Sequence, residues 1–178
     1  MNHNFRGEFG RVIMKPLTRE YIEELRLLRN RDDIRQWFIN SNVVTKEEQE
    51  EWFEKYLIKP NDYMFVVFEK KNPNVFIGSW AAYNFSDDGK CFEVGRRMIH
   101  YDKVSERGLG YDIHCCGIKT IFDHTNAEKA MSEVLSINER SIQSNLKVGF
   151  TIGERITKDN VELVHMYITR DEFNKRYG

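Results

Sequence analysis

The sequence predicts a single α/β (α+β) domain, with a mixed, mostly antiparallel central sheet of about six to seven strands flanked by about four helices. Three observations point there. A chain of 178 residues suits one compact core. Its first half reads as helices followed by β-rich runs joined by short turns, and its second half as strand and helix in alternation. No repeat, low-complexity tract or Pro- and Ser-rich linker interrupts it. The domain is therefore expected to span 1–178, with residues 1–8 disordered.

Phe9 to Met14 suits a first strand, which Pro16 ends. Thr18 is a suitable N-cap for a helix from Arg19 to Arg31, where Ile22, Leu25 and Leu28 recur at helical spacing. Thr45 and Glu48 form a capping-box pair at the start of a second helix carrying Trp52, Phe53 and Tyr56. The runs Tyr63 to Glu69 and Val75 to Tyr83 read as a hairpin about the turn signal at Lys71 to Asn74. Cys91 to Ile99 is the next strand; its Gly95 permits a bulge or the close approach of a ligand. Gly108 to His124 follows as a helix and Ala130 to Ile137 as a strand. Asn138 caps a helix ending near Gly149, and Phe150 to Ile156 with Val161 to Thr169 close the domain as a hairpin.

Composition narrows the function. The 27 basic and 28 acidic residues nearly cancel, so no net field favours nucleic acid or a membrane surface. Cys91, Cys115 and Cys116 are too few and too poorly spaced for a disulfide framework or a zinc site. They read as reduced thiols in a cytoplasmic protein, and no metal is expected. No stretch approaches the roughly 20 apolar residues of a membrane helix.

The most informative segment runs from Val94 to Tyr111: a strand, a loop, then Arg107-Gly108-Leu109-Gly110 opening a helix. Unpaired amides and the positive end of the helix dipole suit a pyrophosphate there, and glycines let it approach. A strand-to-helix turn uses the same glycines for packing alone, so the loop needs a partner motif. About thirty residues on stand Asn138, Ser141 and Gly149-Phe150. Together the two elements resemble the GNAT acetyltransferases, whose phosphate loop is Gln/Arg-x-x-Gly-x-Gly/Ala and whose later element runs from an Asn to a Gly-Phe. The segments LRNRDDIRQWF and TKEEQEEWFEKYL resemble the branch containing ribosomal-protein N-terminal, spermidine and amino-sugar acetyltransferases. Two positions depart from the pattern. Ser105 stands where the loop's Gln or Arg would be, with Arg107 as its substitute, and Asn145 stands where the family often has a tyrosine acid.

The resemblance implies a GNAT-like sheet splayed at a cofactor cleft and an amine that attacks the thioester of acetyl-CoA directly. It assigns the pantetheine arm to the strand residues Arg97, Met98 and Ile99, and the pyrophosphate to Arg107, Gly108, Leu109, Gly110 and Tyr111, with Asn138 and Ser141 reaching the cofactor from the later helix. Glu93 is the candidate base and His100 the second, because an attacking amine must lose a proton. Glu133 is a further residue able to line the cleft, whereas His114 and His124 are expected at the surface or as helix-dipole partners. Arg29, Asn30, Trp37, Gln49 and Trp52 are the candidate acceptor-binding residues. Three readings stand: transfer to a small amine or amino sugar, transfer to a protein N-terminus, and a non-catalytic acyl-CoA-binding protein. A monomer or homodimer is expected, with Val161 to Thr169 and Arg170 to Tyr177 as the available edge.

Overall fold

The computed structural model describes residues 2–158 and 160–178. Two short strands, β1 (Gly7–Phe9) and β2 (Val12–Pro16), lead through a 3-10 turn to helices α1 (Ile22–Arg29), α2 (Asp32–Arg35) and α3 (Lys46–Ile58). There follow β3 (Tyr63–Glu69), β4 (Asn72–Tyr83), β5 (Cys91–Ile99), α4 (Leu109–His124), β6 (Lys129–Leu135), α5 (Glu139–Val148), β7 (Thr151–Lys158), β8 (Val161–Thr169) and α6 (Arg170–Tyr177). All eight strands form one sheet in the order β1-β2-β3-β4-β5-β6-β8-β7. Neighbours are antiparallel except β5 and β6, whose parallel pairing requires the crossover through α4.

Two apolar layers cover the sheet. On one face α1 and α3 bury Ile22, Leu25, Leu28 and Phe53 against Met64, Val66, Phe76 and Met98. On the other, α4 is buried along most of its length, enclosed by sheet and neighbouring elements. Its Gly117 lies beneath Trp80, where a Cβ would come within 2.3 Å of the indole. Burial pushes the thiols of Cys115 and Cys116 up to about 12, and all three cysteines are free. Arg170 closes the far end of α4 by donating to the carbonyls of Phe122, Thr125 and Ala127.

Several expectations change. The expected first strand is two, because Gly10 turns the chain at φ 51° and pairs β1 with β2. The first helix is shorter than expected and α2 follows it separately; α6 brings the helices among the described residues to six. Among the described residues the sheet has eight strands rather than six or seven. Strand β8 is paired on both sides, so it offers no edge to a second copy; β7 is the edge strand at that end of the sheet. The closing turn expected at Thr157 to Asn160 includes Asp159, which lies outside the described residues.

Nor are residues 2–8 disordered. His3 is 9% exposed, lies within 5.5 Å of the rings of Phe5, Tyr63 and Phe65, donates from Nε2 to the Met64 carbonyl and accepts the Phe5 amide at Nδ1. Burial lowers its pKa from 6.5 to about 4, so the folded state resists a proton that the unfolded chain takes up. Stability should therefore fall as the pH drops from 6.5 towards 4, by up to roughly 3 kcal/mol from this residue. Urea melts at neutral and acidic pH check this: His3→Gln, which retains a donor for Met64, should flatten the acid limb.

Candidate active site

Strands β5 and β6 pair only at Cys91, Phe92 and Glu93, opposite Lys129, Ala130 and Met131. Beyond Glu93 they part, which leaves the β6-facing backbone of the rest of β5 without a strand partner. The gap opens a cleft of about 720 Å³, within the usual range for small-molecule sites. It runs through the sheet from the α1–α2 side, lined by Arg29, Asp33, Trp37 and Phe38, to the α4–α5 side, lined by Gly108, Tyr111, His114 and Ser141.

A bulge shapes β5 at the gap. Register with β4 shifts between Ser79 and Ala81, and Arg96 adopts φ 47°. The turn comes one residue after the expected Gly95, whose own role is steric: a Cβ there would lie 2.2 Å from the Tyr83 hydroxyl. Arg96 is held by a two-pronged ion pair to buried Asp62, at 2.5 and 3.1 Å, with its guanidinium 4.4 Å from the Tyr83 ring centroid. Such a pair offsets the cost of left-handed backbone at a non-glycine residue.

Glu93, the last paired residue, lines the cleft. Its carboxylate accepts from the Tyr83 hydroxyl at 3.1 Å and the Asn84 amide at 2.8 Å, and not from Arg96 or Arg97. Burial, then the nearby Glu93 charge, raises the Tyr83 pKa, so the phenol remains a donor. His100 is not among the lining residues; its Nδ1 lies 3.9 Å from Asp102 beyond the end of β5.

At the opposite end Gly108 caps α4 with φ 86°, a conformation that suits glycine, and its missing Cβ would meet only Arg11, at 3.7 Å. The amides of Leu109 and Gly110 have no carbonyl one turn earlier to receive them. The loop is braced from outside the cleft. Arg11 donates to Asp112 at 2.6 Å, to Glu106 at 2.8 Å and to the Arg107 carbonyl. Ser105 donates its amide and hydroxyl to buried Glu69, at 2.9 and 2.6 Å. The departure at Ser105 thus anchors the loop to β3. Arg107 is exposed outside the lining, and Leu109 is core.

Helix α5 supplies the remaining wall. Asn138 accepts the Ser141 amide as an N-cap and also lines the cleft with Ser141. Ser144 accepts from Arg97 at 3.2 Å. Burial brings the Arg97 pKa down to about 10, so the guanidinium keeps its charge at neutral pH, and no carboxylate pairs with it among the described residues. Asn145 is 2% exposed and donates to Ser132 on β6, tying α5 to the sheet where the family pattern has a phenol. His114 is buried, contrary to the surface position expected of it. It stacks on Phe150 at 5.2 Å and accepts the Trp80 indole proton at Nδ1, which places the proton of the neutral ring on Nε2. Burial, then the charge of Arg97, holds its pKa well below the usual range.

Of the expected acceptor residues, Arg29 and Trp37 line the cleft; Asn30, Gln49 and Trp52 do not. Asn30 exchanges two hydrogen bonds with the Val44 backbone, Gln49 is buried, and Trp52 stacks on Tyr56. Met98, Ile99, Gly110 and Tyr111 line the cleft. Sequence reasoning missed Tyr83 and Asp62, whose partners lie ten and thirty-four residues away.

The α4–α5 side of the cleft fits an anionic group. It combines open amides at Gly108 to Gly110 with Arg97, Arg140 and Lys147, and neither helix contributes a lining carboxylate. Among the described residues no helix is long and apolar enough to cross a membrane.

No curated protein sequence matches the chain. Solved structures do. Spermidine N-acetyltransferase from Vibrio cholerae, in complex with CoA and spermine, superposes with a TM-score of 0.83 at 16% identity, over 92% of this chain and 98% of that one. The aminoglycoside acetyltransferase AAC(6')-Ib in complex with coenzyme A gives 0.80 at 18%, over 94% and 99%. Apo FdhC, a nucleotide-linked sugar GNAT, gives 0.76 at 20%, over 98% and 94%. The sequence model described as Acetyltransferase (GNAT) domain matches residues 11–151, most of the chain and both walls of the cleft up to α5, and so the protein belongs to the GNAT acetyltransferases.

Proposed function

We propose that this protein transfers the acetyl group of acetyl-CoA to a primary amine of a small molecule or amino sugar. The observation that carries the reading is the parting of β5 from β6 immediately after Glu93, with the Gly108–Gly110 loop on one side of the gap and an acidic acceptor side chain on the other. Acetyl-CoA supplies a thioester carbonyl, which the neutral amine attacks; the C–S bond then breaks and the sulfur departs as thiolate. Glu93 accepts the amine proton, directly or through one water. Backbone amides of Val94 to Ile99 facing β6 are available to the cofactor arm and the acyl oxygen, and the bulge at Arg96 sets their direction. Arg97 supplies positive charge on the cofactor side. Asn145 cannot donate a proton as an acid, and free thiols ionise at about 8.5, so departure as thiolate is accessible. Coenzyme A and spermine in one structural neighbour support both the donor and an amine acceptor.

Thiol release from acetyl-CoA with a panel of amines, followed by product mass, tests the reading. Release that depends on the amine, with one acetyl group on its nitrogen, is expected. Acetyl-CoA binding without turnover of any amine would favour the non-catalytic reading.

A further inference from the structure

Most arginines of the N-terminal helical segment have carboxylate partners. Arg19 pairs with Glu50 and Glu54, Arg26 with Glu23, Arg31 with Asp33 and Asp102, and Arg35 with Asp32. Arg29 differs. It ends α1 at the acceptor side of the cleft, lies 4.0 Å above the Phe38 ring, and gives one nitrogen to the Asn40 carbonyl. Its Nη1 is buried without a hydrogen-bond partner, and no carboxylate pairs with it among the described residues. A buried guanidinium donor left empty is costly unless something else fills it.

The carboxylates of the cleft complete the pattern. Asp33 is committed to Arg31, and Glu133 lies 3.0 Å from His165. Glu93 is held only by the neutral donors Tyr83 and Asn84. On the α1 and β5 sides the cleft therefore presents the Arg29 guanidinium and the Glu93 carboxylate, neither with a charged partner among the described residues. We infer that the acceptor carries an anionic group as well as its amine, with Arg29 binding the carboxylate or phosphate while the amine faces Glu93. The inference rests on the proposed acetyl transfer and sharpens it. It favours zwitterionic or phosphorylated amines over polyamines, whose several positive charges Arg29 repels. Planar, two-pronged donors such as guanidinium suit carboxylate and phosphate alike, so chemistry alone leaves both sources open.

Matched pairs separate them: alanine against alaninamide for carboxylate, glucosamine 6-phosphate against glucosamine for phosphate, with spermidine as the polycation. Binding to the CoA-loaded protein is read by calorimetry, and turnover by thiol release. The anionic member of one pair should bind about 10- to 100-fold more tightly than its neutral partner, and Arg29→Met should reduce that ratio towards one. The acetyl-CoA-induced rise in melting temperature should persist in the variant. Arg29→Lys, which retains the charge without the fork, serves if the methionine variant is unstable and should give an intermediate ratio. Neutral amines or spermidine binding as well as the anionic probes, or a ratio that survives Arg29→Met, would overturn the inference. Selective anion binding without turnover of any amine would sustain the subsite and count against acetyl transfer. Turnover without anion preference would do the reverse.

Discussion

Glutamine in place of Glu93 should lower kcat by about 10²- to 10⁴-fold, the usual contribution of a positioned general base, without weakening acetyl-CoA binding. Glu93 is the last residue of β5 still paired with β6, opposite Met131, so its backbone is fixed on both sides. Tyr83 and Asn84 fix the carboxylate itself. Glutamine retains the shape of the side chain and removes the proton acceptor, which separates chemistry from folding. The Tyr83 phenol, raised by burial, remains a donor across the assay range and so adds no titration of its own near neutrality. Steady-state rates between about pH 6 and 9, measured with calorimetric binding of acetyl-CoA, check the prediction. A loss below tenfold at every pH would remove Glu93 from the mechanism.

The second large effect concerns the bulge. Asp62→Ala leaves the partly buried Arg96 guanidinium without its ion pair and should cost about 3–5 kcal/mol. Since that guanidinium also packs on Tyr83, the lost anchor should displace the group that positions Glu93, and kcat should fall with stability. Asp62→Asn, which keeps an acceptor for Arg96, should lie between the variant and the wild type. Urea melts and thiol-release assays on the three proteins measure both effects. An alanine variant within about 1 kcal/mol of wild type would mean that β5 holds its bulge by other means.

Both predictions draw on features of different legibility. Strands whose β-branched and aromatic runs are bounded by turn residues could be read to their ends, as at Tyr63–Glu69, Cys91–Ile99 and Val161–Thr169. So could the Thr45–Glu48 capping box and the Gly108 loop, because local backbone geometry alone demands those residues. The bulge falls one residue beyond Gly95 because Asp62, thirty-four positions upstream, holds Arg96, while Gly95 carries only a steric signal. The burial of His114 is hidden for a related reason: periodicity along α4 identifies faces but not that Trp80 and Phe150 cover this one. The N-terminal residues are packed by rings from β3, which lies far along the chain. Helix α6 is polar and buries only Phe173, although Thr169 and Glu172 carry the same capping-box signal that identified α3. Asn145 read as the loss of an acid; its bond to Ser132 shows the position used to join α5 to the sheet.

Binding of acetyl-CoA in the gap between β5 and β6, on which the proposed transfer depends, is tested most directly by thermal unfolding with and without the ligand. A ligand at about 100 times its dissociation constant adds about 2.7 kcal/mol to the folded state, which for a domain of this size is a rise of roughly 5–10 °C. A rise of that order, increasing with acetyl-CoA concentration, is the predicted result. An unchanged melting temperature at millimolar acetyl-CoA would contradict the account.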